Sequence, residues 1–184
     1  MKRILKGALS LMVALIGLIG LTSCNDEYDF YEDFTEAGVS LDKDTMIYEA
    51  ITLDEAKAKI DADETFFLAI GTSQSKSTAS NIAQLQIQAD YLGFDGTIYF
   101  VDSTNYIEKK ADRTAVREAL GIHNITESTT SSLIIVVYKA GNIELDTSYT
   151  INNDYVDYDP LNPFLRSGVL DYEAIASYLF RDFQ

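Results

Sequence analysis

Three segments of the chain are apolar at almost every position: TFFLAI at 65–70, TIYFV at 97–101 and SLIIVVYK at 132–139. A strand with one face in water alternates apolar and polar residues, whereas a strand covered on both faces reads as a continuous apolar run. The chain is therefore expected to build a buried sheet, and the segments between the runs must cover it. Thr52 precedes LDEAKAKI with Glu55 three positions on, a capping-box signature that opens a helix. Ile82, Leu85, Ala89 and Leu92, with Ile87 beside them, recur at helical spacing and stop at Gly93, as in a core-facing helix with a glycine terminator. Further helices are predicted over 112–120, ended by Gly121, and over 171–183, where Tyr172, Ile175, Ala176 and Leu179 share one face. A short strand at 46–51 opens the series, and Ala140-Gly141-Asn142 turns 132–139 back into 143–147 as a hairpin.

Strand, helix, strand, helix, strand, helix, hairpin, helix is an α/β order with parallel crossovers early and an antiparallel pair late. No Pro/Gly-rich break divides 45–184, so this stretch reads as one domain. TFFLAIG followed by a turn and helix, TIYFVDST as the next strand, the short helix ending ALGI, and the hairpin SSLIIVVYKAGNIELD together resemble the thioredoxin-like fold. The similarity is to divergent members of bacterial secretion and transport accessory type, and it covers the chain from about Met46 onward. It implies a three-layer sandwich, with a mixed central sheet of about four to five strands flanked by helices.

In that family the turn between the buried strand and its helix carries Cys-x-x-Cys, and the helix N-terminus stabilises the attacking thiolate. By the same spacing those positions fall at Ser75-Lys76-Ser77-Thr78. Serine cannot exchange disulfides, and its hydroxyl is too weak an acid to be ionised by a helix dipole. The family's cis-proline before the closing hairpin falls at 131–133, yet the only prolines are Pro160 and Pro163. The resemblance thus implies a module without thiol-disulfide chemistry or a cofactor, one that binds a protein or peptide at the old active-site face. Ser73, Ser75, Lys76, Thr78 and Ser132 are its candidate contacts.

Other chemistries find weaker footing. Ser73-Gln74-Ser75-Lys76 is an S-x-x-K, followed in order by Ser103-Thr104-Asn105 and Lys139-Ala140-Gly141, the pattern of penicillin-recognising enzymes. The chain is too short for that family, the spacings are compressed, and Lys139 leads into a hairpin turn. His123 is the only histidine, with no G-x-S-x-G to complete a hydrolase triad, and a zinc site lacks ligands. Paired carboxylates for glycoside hydrolysis have material among so many acids, but nothing marks out a pair.

A second reading rests on 152–163, NNDYVDYDPLNP, where Asp154, Asp157, Asp159 and side-chain amides crowd one loop. Clustered hard oxygens suit a weak Ca²⁺ site, although the EF-hand spacing, glycine and terminal Glu are missing. With twelve tyrosines and no tryptophan in the chain, this loop alternatively offers rigid faces for a small solute or glycan. Solvated aspartates with tyrosines packed on the domain are the simpler expectation.

The chain start addresses location. Lys2, Arg3 and Lys6 precede an apolar run from about Ala8 to Leu21, then small residues and Cys24, the sole cysteine. A basic start, a short apolar run and a small-residue exit mark a secretory signal over 1–23 rather than a spanning helix. Leu21-Thr22-Ser23-Cys24 looks like the lipobox of bacterial lipoproteins, which implies lipidation of Cys24 and a place in the cell envelope on the exported side. Removing a 23-residue leader that holds three bases and no acids takes the formal charge from −15 to −18 and leaves 161 residues. Such a field repels nucleic acid and anionic headgroups, so membrane attachment must come from the lipid. Residues 24–44, rich in acids and aromatics without clear period, are expected to form an extended tether.

Overall fold

The computed structural model describes residues 28–107, 109–125, 133–148, 165–166, 169–170 and 177. In chain order the elements are α1 (Phe30–Glu36), β1 (Tyr48–Ala50), α2 (Leu53–Asp61), β2 (Phe66–Gly71), α3 (Lys76–Leu92) and β3 (Ile98–Asp102). After these come α4 (Thr104–Ile107), α5 (Lys110–Leu120), β4 (Ile134–Lys139), β5 (Asn142–Asp146) and the short strands β6 (Leu165–Arg166) and β7 (Val169–Leu170). The main sheet is mixed and five-stranded, ordered β1-β3-β2-β4-β5. Parallel pairs join β3 to β1 and to β2, and β4 and β5 add on antiparallel. β6 and β7 form a separate antiparallel ladder.

Helices cover the sheet on both faces, which explains why the strand sequences do not alternate. Phe66, Leu68 and Ile70 of β2 and Ile134, Val136 and Tyr138 of β4 bury on one face with Ala56 of α2 and Val116 and Leu120 of α5. Ala69, Ile98, Phe100, Ile135 and Val137 bury on the other with Ile82, Leu85 and Ala89 of α3. Successive strand residues point to opposite faces, so each run feeds both clusters. Two core tyrosines keep their hydroxyls bonded: Tyr48 donates to the Ile82 carbonyl at 3.1 Å and Tyr138 to that of Leu120 at 2.7 Å.

The local signals in the sequence appear as expected at the helix ends. Glu55 N–H donates to Thr52 Oγ1 while Thr52 N–H donates to the Glu55 carboxylate, a complete capping box on α2. Gly93 and Gly121 end α3 and α5 in the left-handed conformation. The β4–β5 turn places Ala140 at φ 48° and Gly141 at φ 71°, the two positive values that a two-residue hairpin of right-handed twist demands. Gly141 is fixed a second time, because a Cβ there would lie 2.8 Å from the Ile60 carbonyl oxygen.

Residues 28–44 depart from the expected tether. Asp29 caps α1 by accepting from Glu32 N–H at 3.0 Å, and Glu32 and Asp33 occupy the first turn where negative charge opposes the helix dipole favourably. Phe30 and Phe34, four apart on one face, are buried on Phe100 and Tyr48, with ring centroids 4.9 and 5.4 Å from Phe100. The physical reason is that a seven-residue helix shows only two apolar positions, too few for a period to be legible, while the two rings bury enough surface to hold it. The expected tether boundary at 44 is therefore corrected: the packed domain already includes Tyr28. A second departure is Ile87, which is 63 % exposed beside Tyr91 on the outer face of α3. Cys24, Ser132, the 152–163 loop with Asp154, Asp157 and Asp159, and the predicted helix at 171–183 apart from Ser177 lie outside the described residues.

Candidate functional site

The turn from β2 into α3 emerges at the carboxyl end of the parallel strands, the end where open α/β sheets gather ligands. Gly71, the last residue of β2, pairs with Asp102, the last of β3, and Ser103 N–H continues the ladder to the Gly71 carbonyl at 2.7 Å. Thr72, Asp102, Ser103 and Thr104 therefore share one end of the sheet. Ser75 caps α3 by accepting from Thr78 N–H at 3.3 Å, and its own N–H donates to the Thr72 carbonyl at 3.1 Å. Ser73 and Ser75 are half-buried, and Gln74 and Lys76 are exposed.

Thr78 is not available to a partner. It is fully buried one turn into α3, with its methyl 2.7 Å from where a Gly71 Cβ would stand; the Leu133 methyl is 3.2 Å from the same point. Glycine is thus required at 71 for space rather than for backbone freedom. Leu133, just before β4, is buried with φ 63°, a conformation that costs a non-glycine residue about 1–2 kcal/mol and that its packing must offset.

A directed hydrogen-bond chain links the turn to the end of β3. Asp102 Oδ1 accepts from Thr104 N–H at 3.1 Å and from Thr104 Oγ1 at 2.7 Å. With that hydroxyl proton committed to the carboxylate, Thr72 Oγ1 donates to Thr104 Oγ1 at 2.7 Å and itself accepts from Gln74 N–H at 3.3 Å. Beyond the backbone ladder at Gly71, the turn is thereby fastened to the end of the neighbouring strand through the side chains of Thr72, Thr104 and Asp102.

The surroundings are acidic. Burial pushes the Asp102 carboxyl up, its Thr104 bonds pull against this, and the Asp33 charge pushes it further up. Burial raises the Tyr28 hydroxyl well above its ordinary range, and Asp102, Asp33 and Asp29 add to the effect. Tyr106 is raised by burial first, then by Asp54 and Asp102. Within the described residues, the buried Tyr28 hydroxyl and Ser103 Oγ have no hydrogen-bond partner.

Sequence reasoning finds the turn but misses this network. Asp102-Ser103-Thr104 is legible only as the end of a strand, since the partner of Thr104 lies 32 residues away. Tyr28 is hidden in the segment expected to be a tether. Among the described residues no group of three or more His, Cys, Asp or Glu side chains is arranged to hold a metal, and no helix is long and apolar enough to cross a membrane. No protein-family model matches the chain, and no curated protein is significantly similar to it.

Proposed function

We propose that the chain is an exported bacterial lipoprotein, anchored through Cys24, whose domain is thioredoxin-like but carries no redox chemistry. It binds a protein or peptide through the carboxyl-end face around the β2–α3 turn. The fold reading is supported by three parallel strands, a helix-opening turn after β2 and a closing antiparallel hairpin, in the order the resemblance leads one to expect. The observation that carries the functional reading is the turn itself. Ser75 caps the helix and Thr78 is buried one turn inside, and by the spacing of the resemblance these are the residues that stand in place of the family's two cysteines. Such a pair keeps the geometry of the face and removes its electron transfer.

Binding then falls to the rim of the turn: exposed Gln74 and Lys76 and half-buried Ser73, with Asp102 and Thr104 behind them. The carboxylates gathered here, Asp102 with Asp33 and Asp29 near it, make this face unfavourable for an anionic ligand. A neutral or basic peptide fits it better, because the backbone and hydroxyl groups supply hydrogen bonds and the acids supply attraction.

The test places a photo-crosslinking residue at Gln74 or at Asn142, in the hairpin turn, in the full-length chain in its native membrane. A specific adduct is expected from position 74, and it should be lost when Ser73 and Lys76 become alanine while the unfolding free energy stays within about 0.5 kcal/mol of wild type, as for surface changes generally. Equal adducts from both positions, or an adduct indifferent to those substitutions, would remove the turn as the binding face.

A further inference from the structure

The first described residue, Tyr28, lies beside the end of β3 that carries the candidate face. Tyr28 enters the fold with its ring stacked on Phe100, centroids 6.0 Å apart, and its hydroxyl within the field of Asp102. Asp102 closes β3 in register with Gly71, from which the β2–α3 turn departs, and Thr104 and Thr72 join the two across 2.7 Å. Only Asn25, Asp26 and Glu27 separate Cys24 from Tyr28. Four residue steps of fully extended chain reach about 14 Å. The sheet itself extends away from this end. β2 runs back from Gly71 to Phe66, and Tyr138 pairs with Phe66 just before the Ala140–Gly141 turn, so that turn stands about 17 Å farther off at strand rise.

We propose that the lipid on Cys24 holds the domain with the carboxyl-end face and its β2–α3 turn directed at the bilayer, and the β4–β5 turn directed away, so that the partner is a polypeptide resident at the membrane surface. The proposal rests on the lipoprotein reading given above. A link three residues long, attached to a helix packed into the core, has little freedom to let the domain tumble. The acids near the link set the distance. Asp26, Glu27, Asp29, Glu32 and Asp33 are repelled by anionic headgroups over a screening length of about 8 Å at physiological salt, which the reach of the link accommodates. The turn is therefore held close to the membrane without lying in it, and a partner free in solution has poorer access than one anchored in the same bilayer.

Cys24 is the only native cysteine, and lipidation occupies its thiol, so Gln74→Cys and Asn142→Cys variants each take a single fluorophore. The full-length lipidated protein is reconstituted in phosphatidylcholine vesicles bearing a nitroxide on the headgroup. Quenching at 74 is expected to exceed that at 142 severalfold, and to fall when phosphatidylglycerol is added at low salt. Inserting a flexible Gly/Ser spacer of about twenty residues between Glu27 and Tyr28 should bring the two positions level. Equal quenching at both positions without the spacer, or stronger quenching at 142, overturns the orientation while leaving lipidation intact. Lipidation is read separately, from the mass of the Cys24-containing peptide and from vesicle binding lost in Cys24→Ser. An unlipidated Cys24 overturns both.

Discussion

At the scale of single residues, Asp102 is the group whose environment works against its charge. It is partly buried at the end of β3, faced by Asp33 and Tyr28 from the amino-terminal segment and by Tyr106 from α4, with only the Thr104 bonds favouring ionisation. Its folded-state value lies above its unfolded one. The stability it contributes is therefore complete below the ordinary aspartate value of about 3.9 and is lost as pH rises through the folded value. Asp102→Asn retains an oxygen to accept from Thr104 and removes the charge. The variant should accordingly be more stable than wild type at neutral pH, with the advantage shrinking as pH falls towards about 4. Urea unfolding at both pH values checks this, and a variant less stable at neutral pH would mean that the charged hydrogen bonds outweigh burial. Nothing in the local sequence announces this balance, because Asp33 and Tyr28 lie some seventy residues before Asp102 and meet it only in three dimensions.

At the scale of elements, α1 and α2 show where local pattern suffices and where it does not. The capping box Thr52/Glu55 is written in consecutive residues, and the helix it opens forms where that signal places it. α1 has a simpler cap in Asp29, and its two phenylalanines are meaningful only once Phe100 and Tyr48 are in place to receive them. Phe34 has no exposed surface, and truncation of a buried phenylalanine typically costs about 3–5 kcal/mol. Phe34→Ala should lower the unfolding free energy from denaturant titration by an amount in that range, whereas an extended tether would leave it where it was. Ile87 carries the opposite lesson. It stands close to the helical stripe of Ile82, Leu85 and Ala89, yet it points outward because the stripe facing the sheet is narrower than the run of apolar letters.

At the scale of the whole molecule, charge is the dominant collective property. A formal charge of −15 on 184 residues makes the compact state repel itself. Raising sodium chloride from about 0.05 to 0.5 M shortens the screening length from about 14 to 4 Å, so the thermal midpoint of the full chain should rise by a few degrees. A midpoint that falls, or does not move, would show that local ion pairs such as Lys57 with Asp61 outweigh the collective repulsion. The sequence by itself determined the buried sheet, the helix boundaries at Thr52, Gly93 and Gly121, and the closing hairpin. Each of these depends on residues within a few positions of one another, or on a pattern that repeats at the period of its own element. Only the tertiary structure decided that β3 inserts between β1 and β2, that Phe30, Phe34 and Val39 belong to the core, and that Thr72, Asp102 and Thr104 form one network at the carboxyl end of the parallel strands. Those outcomes depend on which distant surfaces bury one another, and burial is a property of the assembled layers rather than of any single stretch of chain.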